Sequence, residues 1–365
     1  MPKKDSSADF IWHAKADDIY DGNKYGNTPL KSADPTVFAK EAGTGLIMTG
    51  NGTLSLEILG GGAPIWGYQV DGGHDQHLVS QFTINEGATL SYAAKVPRVA
   101  LFLGQDYSLN EVKFDITGNF IVENTAFEAM PNISQGPATT VSLRQSGSFR
   151  VINAFDYTSA LSLNIYDQGY ASVTANSVEL VAGTYRISGI PNRGKPSLEI
   201  IAVAAPSLTD SSATMSISSH DITCTSASVS RLQAESISYT ATNITVQDTA
   251  SMLIACDSIT VDNQTVFNVA PSTKGPASAT ITFTGQNGGN APFDFTKPQY
   301  PPGLFNFLSG TNIACKFRFK GKGDKSWFQN LLATGSVTLN GSVDDRIVWA
   351  EQREGSDTYF VLFVA

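Results

Sequence analysis

Residues 220–261 read HDITCTSASVSRLQAESISYTATNITVQDTASMLIACDSITV. Four short segments in this stretch share one design: HDITC at 220–224, ESISY at 235–239, TNITV at 242–246 and DSITV at 257–261. Each opens on a polar turn residue and continues with apolar and hydroxyl side chains in alternation. An offset of two is the strand period, so the apolar members of one segment face the same side. Counting outward, apolar positions recur at steps of 22 over residues 176–284. One column is Val178, Ile200, Ile222, Ile244 and Val266, and a second is Leu180, Ala202, Cys224 and Val246. A third is Met215, Ile237, Ile259 and Ile281, and a fourth is Ile217, Tyr239, Val261 and Phe283; Leu232–Ile254 and Ala234–Cys256 add short pairs. A sandwich has no reason to keep one spacing in several columns. A coil that cannot bury its own apolar face, but does so by stacking on copies of itself, has that reason. The expected fold is therefore all-β, with a β-solenoid (a parallel β-helix of 22-residue rungs, two or three short strands each) over 176–285.

Upstream the pattern loosens. The stretches QFTINEGATLSY (81–92), KFDITGNFIVEN (113–124), VSLRQSGSFRVIN (141–153) and LNIYDQGYASVTA (163–175) each place a glycine turn between two alternating runs. Region 63–175 is thus expected to be β-rich, made of irregular rungs or of hairpins. Residues 1–62 show little periodicity and gather Asp17, Asp18, Asp21 and Asn23 among aromatics. An irregular, loop-rich segment ending at Gly60-Gly61-Gly62 is expected there, with the acids as turn residues; calcium-loop spacing is absent. Residues 286–303, QNGGNAPFDFTKPQYPPG, read as a Pro/Gly linker that ends the coil stack. Alternating runs beyond it predict a small β-sandwich-like tip over 304–365, with a short helix at 326–333. Its last strand carries five consecutive apolar residues, Phe360–Val364. Such a strand must be paired or covered, either centrally in a sheet or against another subunit.

Composition narrows the function. Hydrophobic residues make up 41% of the 365 and charged residues only 16%, well under the roughly 25% usual for globular chains. The formal net charge is −9 and the densest basic stretch is the scattered Lys316–Lys325, which argues against a nucleic-acid partner. No apolar run has the length of a membrane span, so membrane insertion is not expected. Residues 1–10 contain no apolar leader core. Cys224, Cys256 and Cys315 are odd in number and widely spaced, which predicts buried free thiols rather than a disulfide framework or a zinc site.

Chemistry-bearing clusters are sparse. His74 and His77 lie three apart in GGHDQH, ligand types that suit a transition metal. The paired glycines before them argue for a solvated loop instead, and no cofactor is expected. A glycosidase needs two carboxylates flanking a groove. Glu235 and Asp257 are 22 apart, which in stacked rungs is about one strand spacing of 4.8 Å; turn duty is the simpler role for both. Phosphate-binding and nucleophile motifs are absent. Aromatics are the stronger binding signal, because ligand interfaces favour Tyr, Trp and Phe. Tyr300, Phe305, Trp327 and Trp349, with Phe307 and Phe328 beside them, crowd the C-terminal region, and Trp66 and Tyr68 are expected in an N-terminal loop.

In layout the chain resembles tail-fibre and tailspike proteins of bacteriophages: an attachment segment, a β-solenoid shaft, a Pro/Gly break and a small β-rich tip. The likeness covers roughly residues 80–365 and is one of class. It implies a homotrimeric virion protein, assembled in the host cytoplasm, that joins other virion proteins through its N-terminal segment and recognises a host-surface glycan or protein. The alternatives are a glycan-cleaving depolymerase and a purely structural head-fibre, decoration or baseplate component. No motif transfers a catalytic residue, and the non-enzymatic reading is preferred.

Overall fold

A computed structural model describes residues 9–68, 77–96, 99–104, 109–130, 138–189, 194–204, 213–271, 277–296, 300–308 and 310–365. It is all-β, 57% strand and 5% helix, with long parallel sheets and no closed barrel. The chain forms two compact units, residues 1–175 and 176–365.

In the second unit the stretch 220–261 explains its own period. Strands begin at Asp221, Val229 and Ser236, then again at Asn243, Ser251 and Ser258. Three short strands and three tight corners therefore make one 22-residue coil. The corners turn on residues with positive φ, among them Ser219, Ser226, Ala227, Ala241 and Asp248. Of these, Asp is the type that adopts the left-handed conformation most readily. Each strand pairs in parallel with its counterpart one coil on: Ile222 with Ile244, Leu232 with Ile254, and Met215 with Ile237 and then Ile259. The inward side chains are buried, among them Ile222, Ile244, Leu232, Ile254, Met215 and Ile237, while Ile259 and Val261 on the last strand of the third face are half-buried.

The 22-residue columns hold only in this middle part. Val178 pairs with Met215 and Ile200 with Leu232, while Ile222 continues back to Tyr185. Ile244 meets Phe267 rather than Val266, and Ile281 and Phe283 meet Met252 and Ile254. Val178, Ile200 and Ile222 thus stand on three different faces. All faces share the same two-residue alternation, so a count along the chain passes from one to the next unnoticed wherever a corner carries extra residues.

The first unit is built the same way on coils of varying length. On one face Asp18 pairs with Leu46, Leu46 with Phe82, Val79 with Glu111, Val112 with Thr139 and Thr139 with Leu161. Successive repeats are therefore 28, 36, 32, 27 and 22 residues long. A second face runs through Asn27–Ser32, Gly52–Ile58, Ala88–Ala94 and Asn119–Glu123, and a third through Lys40–Glu41, Ile65–Tyr68, Ala100–Leu103 and Ala126–Ala129. The strand–glycine–strand stretches are corners between two faces, not hairpins. Gly147 shows why glycine serves there: a Cβ on it would lie 2.1 Å from the Ile116 carbonyl oxygen of the coil beside it. An aromatic stack fills the interior, with Trp66 on Phe82 at 4.8 Å, Phe82 on Phe114 at 4.8 Å and Phe114 on Phe120 at 5.1 Å.

The N-terminal segment expected to be loop-rich already belongs to this stack, with parallel strands from Asp18 onward. Trp66, expected in a loop, is fully buried and donates its indole N–H to the Phe38 carbonyl at 2.8 Å. Asp18 and Lys40 form a buried ion pair at 2.7 Å, 3% and 0% exposed. The Lys40 ammonium also donates to the His13 and Ala16 carbonyls at 2.9 Å each, and Asp18 meets His13 Nδ1 at 2.7 Å. These bonds hold residues 13–16 against the first coil.

The Pro/Gly stretch 286–303 does not end the stack. Phe267 on one side of it pairs with Phe305 on the other, and Ile281 pairs with Phe317. Strand geometry survives because the prolines lie in the excursion between strands and not within them. The C-terminal region then closes with antiparallel strands. Asp357–Val364 lies between Lys316–Lys320 and Ile347–Glu354, antiparallel to both. The apolar terminal strand is thus central, the first of the two placements expected for it, with Phe360, Val361, Leu362 and Val364 buried.

His220, at the corner before Asp221–Thr225, is 1% exposed, and its Nδ1 accepts the Gly183 N–H at 3.1 Å. Burial pushes its pKa down to about 3. Above pH 6.5 both folded and unfolded imidazoles are neutral, and the shift has no effect. Below that, the unfolded chain takes up a proton that the native one refuses, so stability falls by about 1.4 kcal/mol per pH unit toward pH 3. Urea midpoints at pH 7, 6 and 5 are expected to drop less in His220→Asn, whose amide oxygen keeps the acceptor; equal slopes in both proteins would contradict this.

Candidate functional site

Beyond the strand Thr280–Thr284 the chain makes a long excursion before it re-enters the stack. The excursion, the end of Lys316–Lys320, the helix Lys325–Ala333 and the turn at 356–358 enclose a cleft of about 610 Å³. Trp327 and Phe293 supply its aromatic surface, and Asn290, Asp294, Lys320 and Lys322 its polar one. A smaller groove of about 310 Å³ shares Asp294 and is lined by Tyr300, Asp257, Ser258 and Thr260.

The walls are fixed from behind. Trp327 is half-buried and meets Phe295 edge-on at 5.4 Å and Phe360 at 5.9 Å. Phe293 stacks on Phe295 at 5.4 Å, and the Asn330 side chain donates to the Phe295 carbonyl at 2.8 Å, tying excursion to helix. Asp324 caps that helix, accepting from the Ser326 hydroxyl and from the Trp327 and Ser326 N–H groups, which lowers its carboxyl pKa and sets Trp327 in the first turn. Gly323 permits the close approach: a Cβ there would lie 2.3 Å from the Phe360 ring. The Ala291 N–H bonds the Lys320 carbonyl at 2.8 Å, and the Gly321 N–H bonds the Thr358 carbonyl at 2.8 Å.

The carboxylates in and around the cleft are already engaged. Asp294 accepts from the Thr296 N–H at 3.0 Å and from its hydroxyl at 2.5 Å. Asp357 holds Lys320 at 2.7 Å, and Glu354 holds Arg318 at 2.7 Å. Asp257 accepts the Gln286 N–H at 2.9 Å.

Of the expected binding aromatics, Trp327 lines the cleft and Tyr300 the smaller groove, where the Tyr300 hydroxyl accepts the Asp294 N–H at 3.0 Å. Phe305 does not: it is fully buried, because its strand, Phe305–Phe307, continues the coil stack. Trp349 lies apart, on the terminal hairpin, stacked on Phe360 at 5.4 Å. Comparison with protein families, curated proteins and solved structures finds no match for the chain. The site therefore rests on its own geometry.

Glu235 and Asp257 stand one coil apart, with the Asp257 N–H bonded to the Glu235 carbonyl at 2.9 Å, and both are exposed. They sit at a corner, and Asp257 is used there to hold a loop N–H. His74 lies outside the described residues. Glu111 meets Lys113 at 2.5 Å and His77 at 2.6 Å, which together lower its pKa. No group of three or more His, Cys, Asp or Glu fit to hold a metal occurs among the described residues. Cys224, Cys256 and Cys315 are buried free thiols, and burial raises Cys224 and Cys256 to about 12.

Asn290, Phe293, Asp294 and Lys322 were not singled out from sequence as site residues. They come from a stretch read as a linker and from the turn after a strand. The available signal was the Phe293–Phe295 alternation inside the Pro/Gly run.

Proposed function

We propose that the chain is a non-enzymatic binding protein of the virion-fibre class, whose C-terminal cleft receives a glycan of the host surface. The observation that carries this is the cleft itself. Trp327 offers an aromatic face beside hydrogen-bonding groups of Asn290 and the Lys320–Thr358 turns, the combination by which sugar rings and hydroxyls are held. Within each unit the stacked coils give a stiff support. In a homotrimer, three such clefts raise avidity without any new contact.

Catalysis is the weaker reading, because each acid around the cleft is spent on a hydrogen bond or an ion pair. A depolymerase needs one carboxyl free to donate and another to attack or activate water.

The test is binding to a panel of immobilised bacterial surface polysaccharides, with light scattering for the mass in solution. Retention on at least one polymer without release of reducing ends is expected. Trp327→Ala is expected to weaken binding by about 2 kcal/mol, roughly thirtyfold in Kd. Release of reducing ends would replace this reading with a depolymerase; no retention on any polymer would leave a structural component.

A further inference from the structure

The chain carries 24 Lys and Arg against 33 Asp and Glu, yet five of those cations fall within the ten residues 316–325. The strand Lys316–Lys320 alternates, so Lys316, Arg318 and Lys320 share its outer face while Phe317 and Phe319 are buried. Arg318 is consumed by Glu354 and lies 4.1 Å over the Tyr359 ring; Lys320 is consumed by Asp357. Lys322 lines the cleft and makes no ion pair among the described residues, and Lys316 and Lys325 make none either.

The acids nearby already hold partners of this chain, although Asp294 and Asp357 line the cleft. Asp294 closes its own loop on Thr296, Asp324 caps the helix, and Glu354 and Asp357 hold Arg318 and Lys320. A ligand anion would meet in Lys322 an ammonium that no carboxylate of the described residues holds, in the same cleft that Trp327 lines. We infer that the ligand of this cleft is an acidic glycan, a polymer with carboxylate-bearing sugars, whose ring packs on Trp327 while its carboxylate is taken by Lys322.

This inference rests on the glycan-binding reading above, and the experiment separates the two. The full-length protein is titrated with polygalacturonate, hyaluronate and polysialic acid, and with the same polymers after reduction of their carboxyl groups to alcohols. Dextran and a mannan serve as neutral polymers. Binding to at least one acidic polymer is expected, at least tenfold weaker after carboxyl reduction. Lys322→Gln, an exposed position whose change leaves the fold intact, is expected to raise Kd at least threefold for that polymer and to flatten its salt dependence. Trp327→Ala is expected to weaken both the acidic polymer and its reduced form. Binding unaffected by carboxyl reduction, or binding to neutral polymers alone, overturns the acidic ligand and leaves the glycan reading standing. Binding to none of the polymers overturns both. Binding that depends on sulfate or phosphate groups, in a sulfated dextran or a teichoic acid, overturns the carboxylate assignment.

Discussion

Asp18→Ala is expected to destabilise the first unit by about 3–5 kcal/mol, because it leaves the Lys40 ammonium buried without its counter-charge. Lys40 is fully buried, and burial already lowers its pKa against the opposing pull of Asp18. Its two remaining acceptors, the His13 and Ala16 carbonyls, are neutral. The double variant Asp18→Asn/Lys40→Met removes both charges at nearly constant volume and is expected to recover most of that loss. Buried ion pairs are often matched by apolar replacements once neither charge is stranded. Urea unfolding followed by tryptophan fluorescence in a Trp327→Phe/Trp349→Phe background reads the unit, since the remaining Trp12 and Trp66 rings lie 6.0 Å apart and Lys40 lies 4.6 Å over the Trp12 ring. A single variant as stable as the parent would mean that the pair does not hold residues 13–16 in place.

Ending the chain at Asp345 is expected to be the most damaging change outside the core stack. It removes Ile347, Phe360, Val361, Leu362 and Val364, all buried. At about 1.5–3 kcal/mol for each side chain, the loss is on the order of 10 kcal/mol. It also strips the partner from Lys316–Lys320, whose edge would then offer free N–H and C=O groups beside Phe317, Phe319 and Phe295. An edge of that kind recruits other chains. Size-exclusion chromatography is expected to show soluble aggregate in place of the parent peak, and the melting transition of the second unit is expected to fall sharply. A truncated protein with the parent's elution volume and melting temperature would show that the hairpin is dispensable. In the intact protein Ile347–Glu354 is the outer strand of this sheet, and Glu351, Arg353 and Glu354 keep it charged, which discourages pairing of the same kind.

The legible part of the site was the residue type. Tyr300 and Trp327 stood out as aromatics in a polar chain; Trp327 lines the cleft and Tyr300 the smaller groove that shares Asp294 with it. Phe305 had the same appearance in sequence and is core. Its strand has only three residues, too few for alternation to show which side faces in. The cleft was not legible as a site because its walls come from 290–294, 319–322, 327 and 356–358. Nothing in the chain marks these pieces as neighbours.

Alternation over 220–261, the corner residues between short strands and the 22-residue step were enough by themselves to require stacked parallel coils. Those are local properties of strands and turns, repeated until their sum is unambiguous. Which apolar residues stack on which was settled only by the tertiary structure. Extra residues at the corners shift the count, and only pairing across coils restores the register, as Val178 on Met215 and Phe267 on Phe305 show. The continuation of the stack before residue 62 and past residue 303 was settled in the same way, since the hydrogen bonds that define a coil join residues 22 to 38 apart and leave the intervening chain free to vary.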